Sequence, residues 1–178
     1  HAGQVEYLKR RYHAGSKGNF DIYVLFVERG LELLNGQGRL GFILPNKFFN
    51  AQYGQPLREL LSKGRYVSHI VHFGDQQVFA GATTYTALLF LDKAGTGKCD
   101  FAQVEDLTTW QTMGHAQRRV VRAEEMTSRE WIVATGSLAT VLDRVNSFPY
   151  RLRDVTARMF QGLITGADKV FILTNSSG

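Results

Sequence analysis

A single cysteine, Cys99, stands in the 178 residues of the chain. That excludes a disulfide framework and a zinc centre built on several thiolates, and it fits a reducing, cytoplasmic setting. Cys99 itself reads as an inert strand residue. Long apolar runs are also missing. The longest, Ala87–Leu91, is far too short to cross a bilayer, no secretory leader is visible, and no membrane partner is expected. No metal-ligand spacing, paired-carboxylate signature or Ser-His-Asp arrangement stands out. His69 and His72 lie three apart on a predicted strand, so they face opposite ways and make a poor metal pair; His13 and His115 are isolated. There is no internal repeat and no low-complexity tract.

What is present is a core. Hydrophobic residues make up 44% of the chain and aromatics 12%, which argues against disorder. The net charge of +5 is a mild pointer to a polyanionic partner. Residues 1–19 carry Lys9, Arg10, Arg11 and Lys17 against Glu6 alone. They read as a solvated, partly helical segment, or else as a phosphate-contacting arm.

Prolines are scarce, and each one punctuates. Asp21 is a candidate N-cap for a helix with an apolar stripe of Ile22, Leu25, Phe26, Leu33 and Leu34, closed by Gly36 and Gly38. Arg39–Leu44 reads as a buried strand that stops at Pro45. Pro56 starts a second helix, with Leu57, Leu60 and Leu61 inward and an end before Gly64. Tyr66–Phe73 reads as a strand covered on both faces. The segment 74–83 is too long for a plain hairpin and carries one aromatic, Phe79. Tyr85–Leu91 should then return antiparallel beside its predecessor. Lys98–Val104 reads as an edge strand, while 105–135 resolve poorly. Ser137 can cap a helix with a stripe of Leu138, Val141, Leu142 and Val145. Ser147-Phe148-Pro149 breaks it at a domain boundary, after which Lys169–Leu173 opens a β-rich unit.

Strand–helix–strand order makes Leu40–Leu44 and Tyr66–Phe73 parallel, so their carboxyl ends share one edge of the sheet. Ligands of open α/β sheets bind outside that edge. Pro45, Asn46 and Lys47 leave it from the first strand, and the Phe79 loop leaves it from the second. Both should border one cleft. Three strands cannot cover a core strand such as Leu40–Leu44, so further partners are expected upstream of His1. The start at His1 and the end at Gly178 fit a piece of a longer polypeptide, whose remainder would be a partner of this chain.

Three segments carry a resemblance. They are Asn19-Phe20-Asp21-Ile22-Tyr23-Val24-Leu25-Phe26, Gly41-Phe42-Ile43-Leu44-Pro45-Asn46-Lys47-Phe48 and Phe73-Gly74-Asp75-Gln76-Gln77-Val78-Phe79. Together they resemble the Asp-x-Tyr-x-x-Phe helix, the Pro-Asn-x-Phe strand end and the Val-Phe loop of gamma-class adenine-N6 DNA methyltransferases. The likeness is to the type IIG restriction–modification branch, in which methylation and target recognition share one long polypeptide. It covers roughly residues 5–93 and continues faintly to 162–171.

The resemblance implies an α/β fold: the carboxyl half of a Rossmann-like methyltransferase sheet, with parallel strands, an antiparallel last strand and the start of a target-recognition region. Residues 1–148 would belong to the catalytic domain and 149–178 to the recognition domain. It implies S-adenosylmethionine as methyl donor and double-stranded DNA with an everted adenine as substrate. It assigns Phe79 to stacking on that adenine and Phe26 to the adenine end of the donor, with Pro45, Asn46 and Lys47 at the cleft edge. Without the resemblance, Phe79 reads as a core residue plugging the sheet end and Phe26 as core packing. The family's Gly-rich donor-binding turn and Asn-Pro-Pro-Tyr tetrapeptide are not in this sequence and are expected upstream, so the chain alone should be inactive. Two other readings stand beside this one: a non-catalytic nucleic-acid-binding module, and an unrelated Rossmann-like enzyme fragment.

Overall fold

The computed structural model describes residues 2–81 and 84–158. They divide into two compact units between Thr140 and Val141. The expected strand Lys169–Leu173 and the segment 162–171 lie outside the described residues.

The first unit is built on a five-stranded sheet: β1 (Arg39–Pro45), β2 (Val67–His72), β3 (Thr86–Asp92), β4 (Lys98–Gln103) and β5 (Gln117–Arg122). The spatial order is β1-β3-β2-β4-β5. β3 pairs antiparallel with both β1 and β2, β2 pairs parallel with β4, and β5 pairs antiparallel with β4. Strands β1, β2 and β4 therefore run one way, and β3 and β5 run against them. Parallel β1 and β2 and an antiparallel return agree with the expectation. The sequence did not indicate that the returning strand inserts between the other two.

Helices α1 (Ala2–Arg11), α2 (Tyr23–Leu33), α3 (Gln55–Lys63) and α4 (Leu107–Met113) complete this unit with short 3₁₀ turns at His13–Gly15, Asn46–Phe49 and Gln52–Gly54. The core joins Val24, Leu25, Val27 and Leu31 of α2 and Leu57 and Leu61 of α3 to Leu44, Ile70, Leu89, Leu91 and Phe101 of the sheet. α2 approaches β1 closely: a Cβ on Gly30 would stand 2.6 Å from Leu40. Two more helices follow, α5 (Gly136–Asn146) and α6 (Leu152–Val155).

Several expectations need correction. The buried face of α2 is Val24, Leu25, Val27, Glu28 and Leu31, while Ile22, Phe26 and Leu33 are exposed. Glu28 sits in that face because its carboxylate accepts from the backbone N–H of His13 at 3.0 Å and of Ala14 at 2.6 Å. Asp21 does not cap by its side chain; Ile22 holds the N-cap position, and the Asp21 carbonyl accepts from Val24 N–H. β1 is not buried throughout: Leu44 is buried and Arg39, Gly41 and Ile43 are exposed, with β3 its one strand partner among the described residues. β4 is interior, since β5 pairs beyond it. β2 is not covered on both faces: His69 and Phe90 lie exposed on the side opposite the core. In α5, Leu138, Val141 and Val145 are at least half exposed and Leu142 is partly buried.

Candidate functional site

The carboxyl ends of β1, β2 and β4 meet at one edge, together with the amino ends of β3 and β5. Pro45 ends β1 with extended backbone (φ −62°, ψ 132°) and delivers the chain into the turn Asn46–Phe49. Asn46 extends the β1–β3 ladder by one bond, its N–H donating to the Tyr85 carbonyl at 3.0 Å. Its side-chain amide nitrogen lies 3.0 Å from Nε2 of His72, the last residue of β2. The other ring nitrogen of His72, Nδ1, accepts from Gly74 N–H at 2.9 Å. His72 packs between Phe49 and Phe101, with ring centroids at 5.9 and 6.1 Å. Burial there lowers its pKa, so the ring is neutral at physiological pH.

The turn is held rigidly from beneath. Arg58 of α3 is 1% exposed, and its guanidinium donates to the carbonyls of Phe48, of Ala51 at 2.9 Å and of Ser128 at 3.1 Å. Burial lowers its pKa, yet an arginine stays charged in proteins. Tyr23 of α2 accepts the Phe48 N–H at 3.2 Å and shares a hydrogen bond with Tyr53 at 3.0 Å; burial raises its pKa. Trp131 donates its backbone N–H to the Phe49 carbonyl at 2.8 Å and its ring packs on Phe48 and Phe49. Gly54 is required beneath, since a Cβ there would lie 2.2 Å from the Phe48 carbonyl oxygen. Lys47 is the exposed residue of this turn.

The Phe79 loop leaves β2 through Phe73, buried against Trp110 of α4 with centroids 5.1 Å apart. Gly74 adopts φ +57°, the left-handed turn that glycine favours. Gln76 braces the next residues, donating to the Glu105 carbonyl at 3.0 Å. Phe79 stands further along the loop, 47% exposed, and so does not plug the core. Phe26 is 58% exposed on α2, one turn beyond Tyr23, and is not a core residue either.

A cleft of about 560 Å³ with mixed lining opens at the same edge, on the β4–β5 side, lined by Gly74, Gln76, Gln103, Val104, Glu105 and Val133 among others. The start of the Phe79 loop lines it; Pro45, Asn46, Lys47 and Phe79 do not. The structure thus joins the Pro45 turn to β2 through Asn46 and His72, and gives the Phe79 loop a second flank. Sequence reasoning passed over His72 as a bonded partner of Asn46. The signal available was parity: His72 is two residues beyond Ile70 and so shares its inward face.

Among the described residues, no cluster of His, Cys, Asp or Glu could hold a metal, and no helix is long and apolar enough to cross a membrane. Two of the basic residues near the amino terminus are held in surface ion pairs. Arg10 pairs with Glu6 at 3.2 Å and Arg11 with Glu32 at 2.8 Å, which holds the Glu32 carboxyl down at about 2.

Residues 1–79 match the family described as Eco57I restriction-modification methylase. The type II restriction enzyme and methyltransferase RM.Eco57I of Escherichia coli is 32% identical over 173 residues, which is 95% of this chain and 17% of that protein. The type II methyltransferase M.PaeR7I of Pseudomonas aeruginosa is 26% identical over 167 residues, 85% of this chain and 29% of that protein. The chain therefore spans less than a third of these relatives. In the crystal structure of the type IIG restriction endonuclease BpuSI, a region covering 70% of this chain and 17% of that one superposes with a TM-score of 0.52 at 17% identity, which shows a shared fold.

Proposed function

We propose, from the match of residues 1–79 to the family described as Eco57I restriction-modification methylase, that the chain is part of a site-specific DNA methyltransferase of a restriction–modification system. The reaction is methyl transfer from S-adenosylmethionine to N6 of adenine. Residues 1–148 supply the carboxyl part of the catalytic domain, and 149–178 begin the target-recognition domain. A restriction nuclease in the same polypeptide, as the name of RM.Eco57I joins the two, is part of the proposal.

One observation carries this reading. The likeness to RM.Eco57I extends over 95% of the chain, far beyond the three short motifs that first point to the family. The site geometry supports it. The target adenine must leave the duplex, because its amine is out of reach inside the stack. An aromatic that receives it must be uncovered, and Phe79 is. Pro45, Asn46 and Lys47, at the carboxyl edge of the sheet, enter a turn held from three sides, as a surface against which a base is positioned requires.

S-adenosylmethionine supplies an electrophilic methyl group when bound. The described residues fit one end of it: Phe26 offers an exposed aromatic face on which a purine can stack, 58% open to solvent. No described strand–turn–helix is Gly-rich, so the rest of the donor site falls to other parts of the enzyme.

The experiment is direct. The full-length enzyme is incubated with duplex DNA and isotope-labelled S-adenosylmethionine, and the DNA is digested to nucleosides. Label in N6-methyladenine is expected. Label in a methylated cytosine, or DNA binding with no transfer at all, overturns the reading.

A further inference from the structure

Asn46 and His72 carry more than an edge contact. The Gly74 N–H donates to Nδ1 of His72 at 2.9 Å. An imidazole nitrogen that accepts a hydrogen bond carries no proton, so the neutral ring holds its proton on Nε2. The Asn46 amide lies 3.0 Å from that Nε2. Two N–H groups cannot face each other at this distance. The Gly74 peptide is fixed by its φ of +57° and by the Phe73 and Gln76 contacts around it. The Asn46 amide can turn about its own side-chain bond, and an amide's two ends are told apart by their partners.

We infer that His72 is a positioning residue, whose Nε2–H donates to Oδ1 of Asn46 and turns the Asn46 NH₂ outward as a donor to an acceptor atom of the target nucleotide. The inference rests on the methyltransferase reading above and gives the cleft edge a polarity. With Oδ1 turned inward against the ring, the outward group of Asn46 gives hydrogen bonds. It suits a ring nitrogen or a carbonyl or phosphate oxygen. The exocyclic amine of adenine, itself a donor, needs a different partner. The backbone of Asn46 is locked into the β1–β3 ladder and Phe49 and Phe101 clamp the imidazole, so the pair is fixed before substrate arrives.

Four variants of the full-length enzyme test this: Asn46→Ala, Asn46→Asp, His72→Phe and His72→Gln. Steady-state methylation yields kcat and KM for duplex DNA separately, and fluorescence anisotropy yields DNA affinity. Asn46→Ala removes one neutral hydrogen bond and should raise KM about three- to tenfold with kcat nearly unchanged. Asn46→Asp keeps an acceptor for His72 and replaces the outward donor by a carboxylate, so its KM should rise further than that of Asn46→Ala. His72→Phe keeps the ring packing and loses both bonds; its KM should match Asn46→Ala. His72→Gln offers a side-chain N–H to Asn46 and should recover most of the loss. Wild-type KM in Asn46→Asp overturns the inference, as does His72→Gln no better than His72→Phe. If His72→Phe does not fold, Asn46→Asp decides, because it leaves the packing intact. If the wild type transfers no methyl to adenine, the functional reading fails, and the same ranking in DNA affinity still judges the inference.

Discussion

At the scale of single residues, Phe79 and Arg58 illustrate opposite uses of a large side chain. Phe79 is nearly half exposed, and none of the described contacts of the core depends on it. Replacing it with alanine should leave thermal stability almost unchanged. In the full-length enzyme the same change should lower kcat/KM for methylation between about fivefold and a hundredfold, the loss of one base–aromatic stack worth about 1–3 kcal/mol. Equal kinetics for Phe79→Ala and wild type would remove Phe79 from the site. Arg58 is almost fully enclosed, and three carbonyls depend on it. Arg58→Met matches its length without its donors. A buried carbonyl left unpaired costs about 1–3 kcal/mol, so the variant should lose at least about 3 kcal/mol in urea unfolding. A loss under 1 kcal/mol would mean that the turn is fixed by Trp131 and Tyr23 alone. Cys99 belongs with the buried set: burial pushes its thiol up to about 12, which agrees with an inert strand residue.

At the scale of elements, what could be read in the sequence depended on whether a segment's chemistry and its burial agreed. α3 agreed except at Arg58, a buried cation. Pro56 opens it, Leu57 and Leu61 face the core, and Gly64 follows its end. α2 did not, because Glu28 interrupts the inward stripe. A carboxylate inside an apolar face hides helical periodicity unless the two N–H groups it accepts from are known, and those belong to His13 and Ala14, 15 and 14 residues before it and outside the helix. β5 was missed for a related reason. Its sequence, Gln117-Arg118-Arg119-Val120-Val121-Arg122, is mostly polar, and Val121 is its one buried residue. An outer strand needs only one apolar anchor, and such a strand barely alternates. The apolar content of β1 misled in the other direction, since Leu40, Phe42 and Leu44 alone face the helices. At the candidate site, the shared edge of Pro45 and the Phe79 loop was legible from strand direction. The Arg58 staple and the His72 contact were not. Both join residues far apart in sequence through single side chains, and no periodicity records that.

At the scale of the molecule, the proposal assigns this chain one wall of a larger site. Phe26 is its sole described aromatic offered to the donor, so the 178-residue chain should show no stoichiometric binding of S-adenosylmethionine by titration calorimetry, with circular dichroism confirming its helices. A clean one-to-one isotherm would place the donor site within these residues and revise the division of labour proposed above. The sheet order has one further consequence, which concerns synthesis. β1 and β2 share no ladder; each is bonded to β3, and Arg39 pairs with Asp92, 53 residues on. Of the described strands, a nascent chain that has emerged through His72 holds β1 and β2, which do not pair with each other. The sheet closes only when residues 86–92 arrive and fill the gap, so folding of this half waits on a single late segment. A nascent chain whose emerged part stops short of Thr86 leaves the facing edges of β1 and β2 without the strand that joins them, and that is the moment at which this sheet most needs a chaperone.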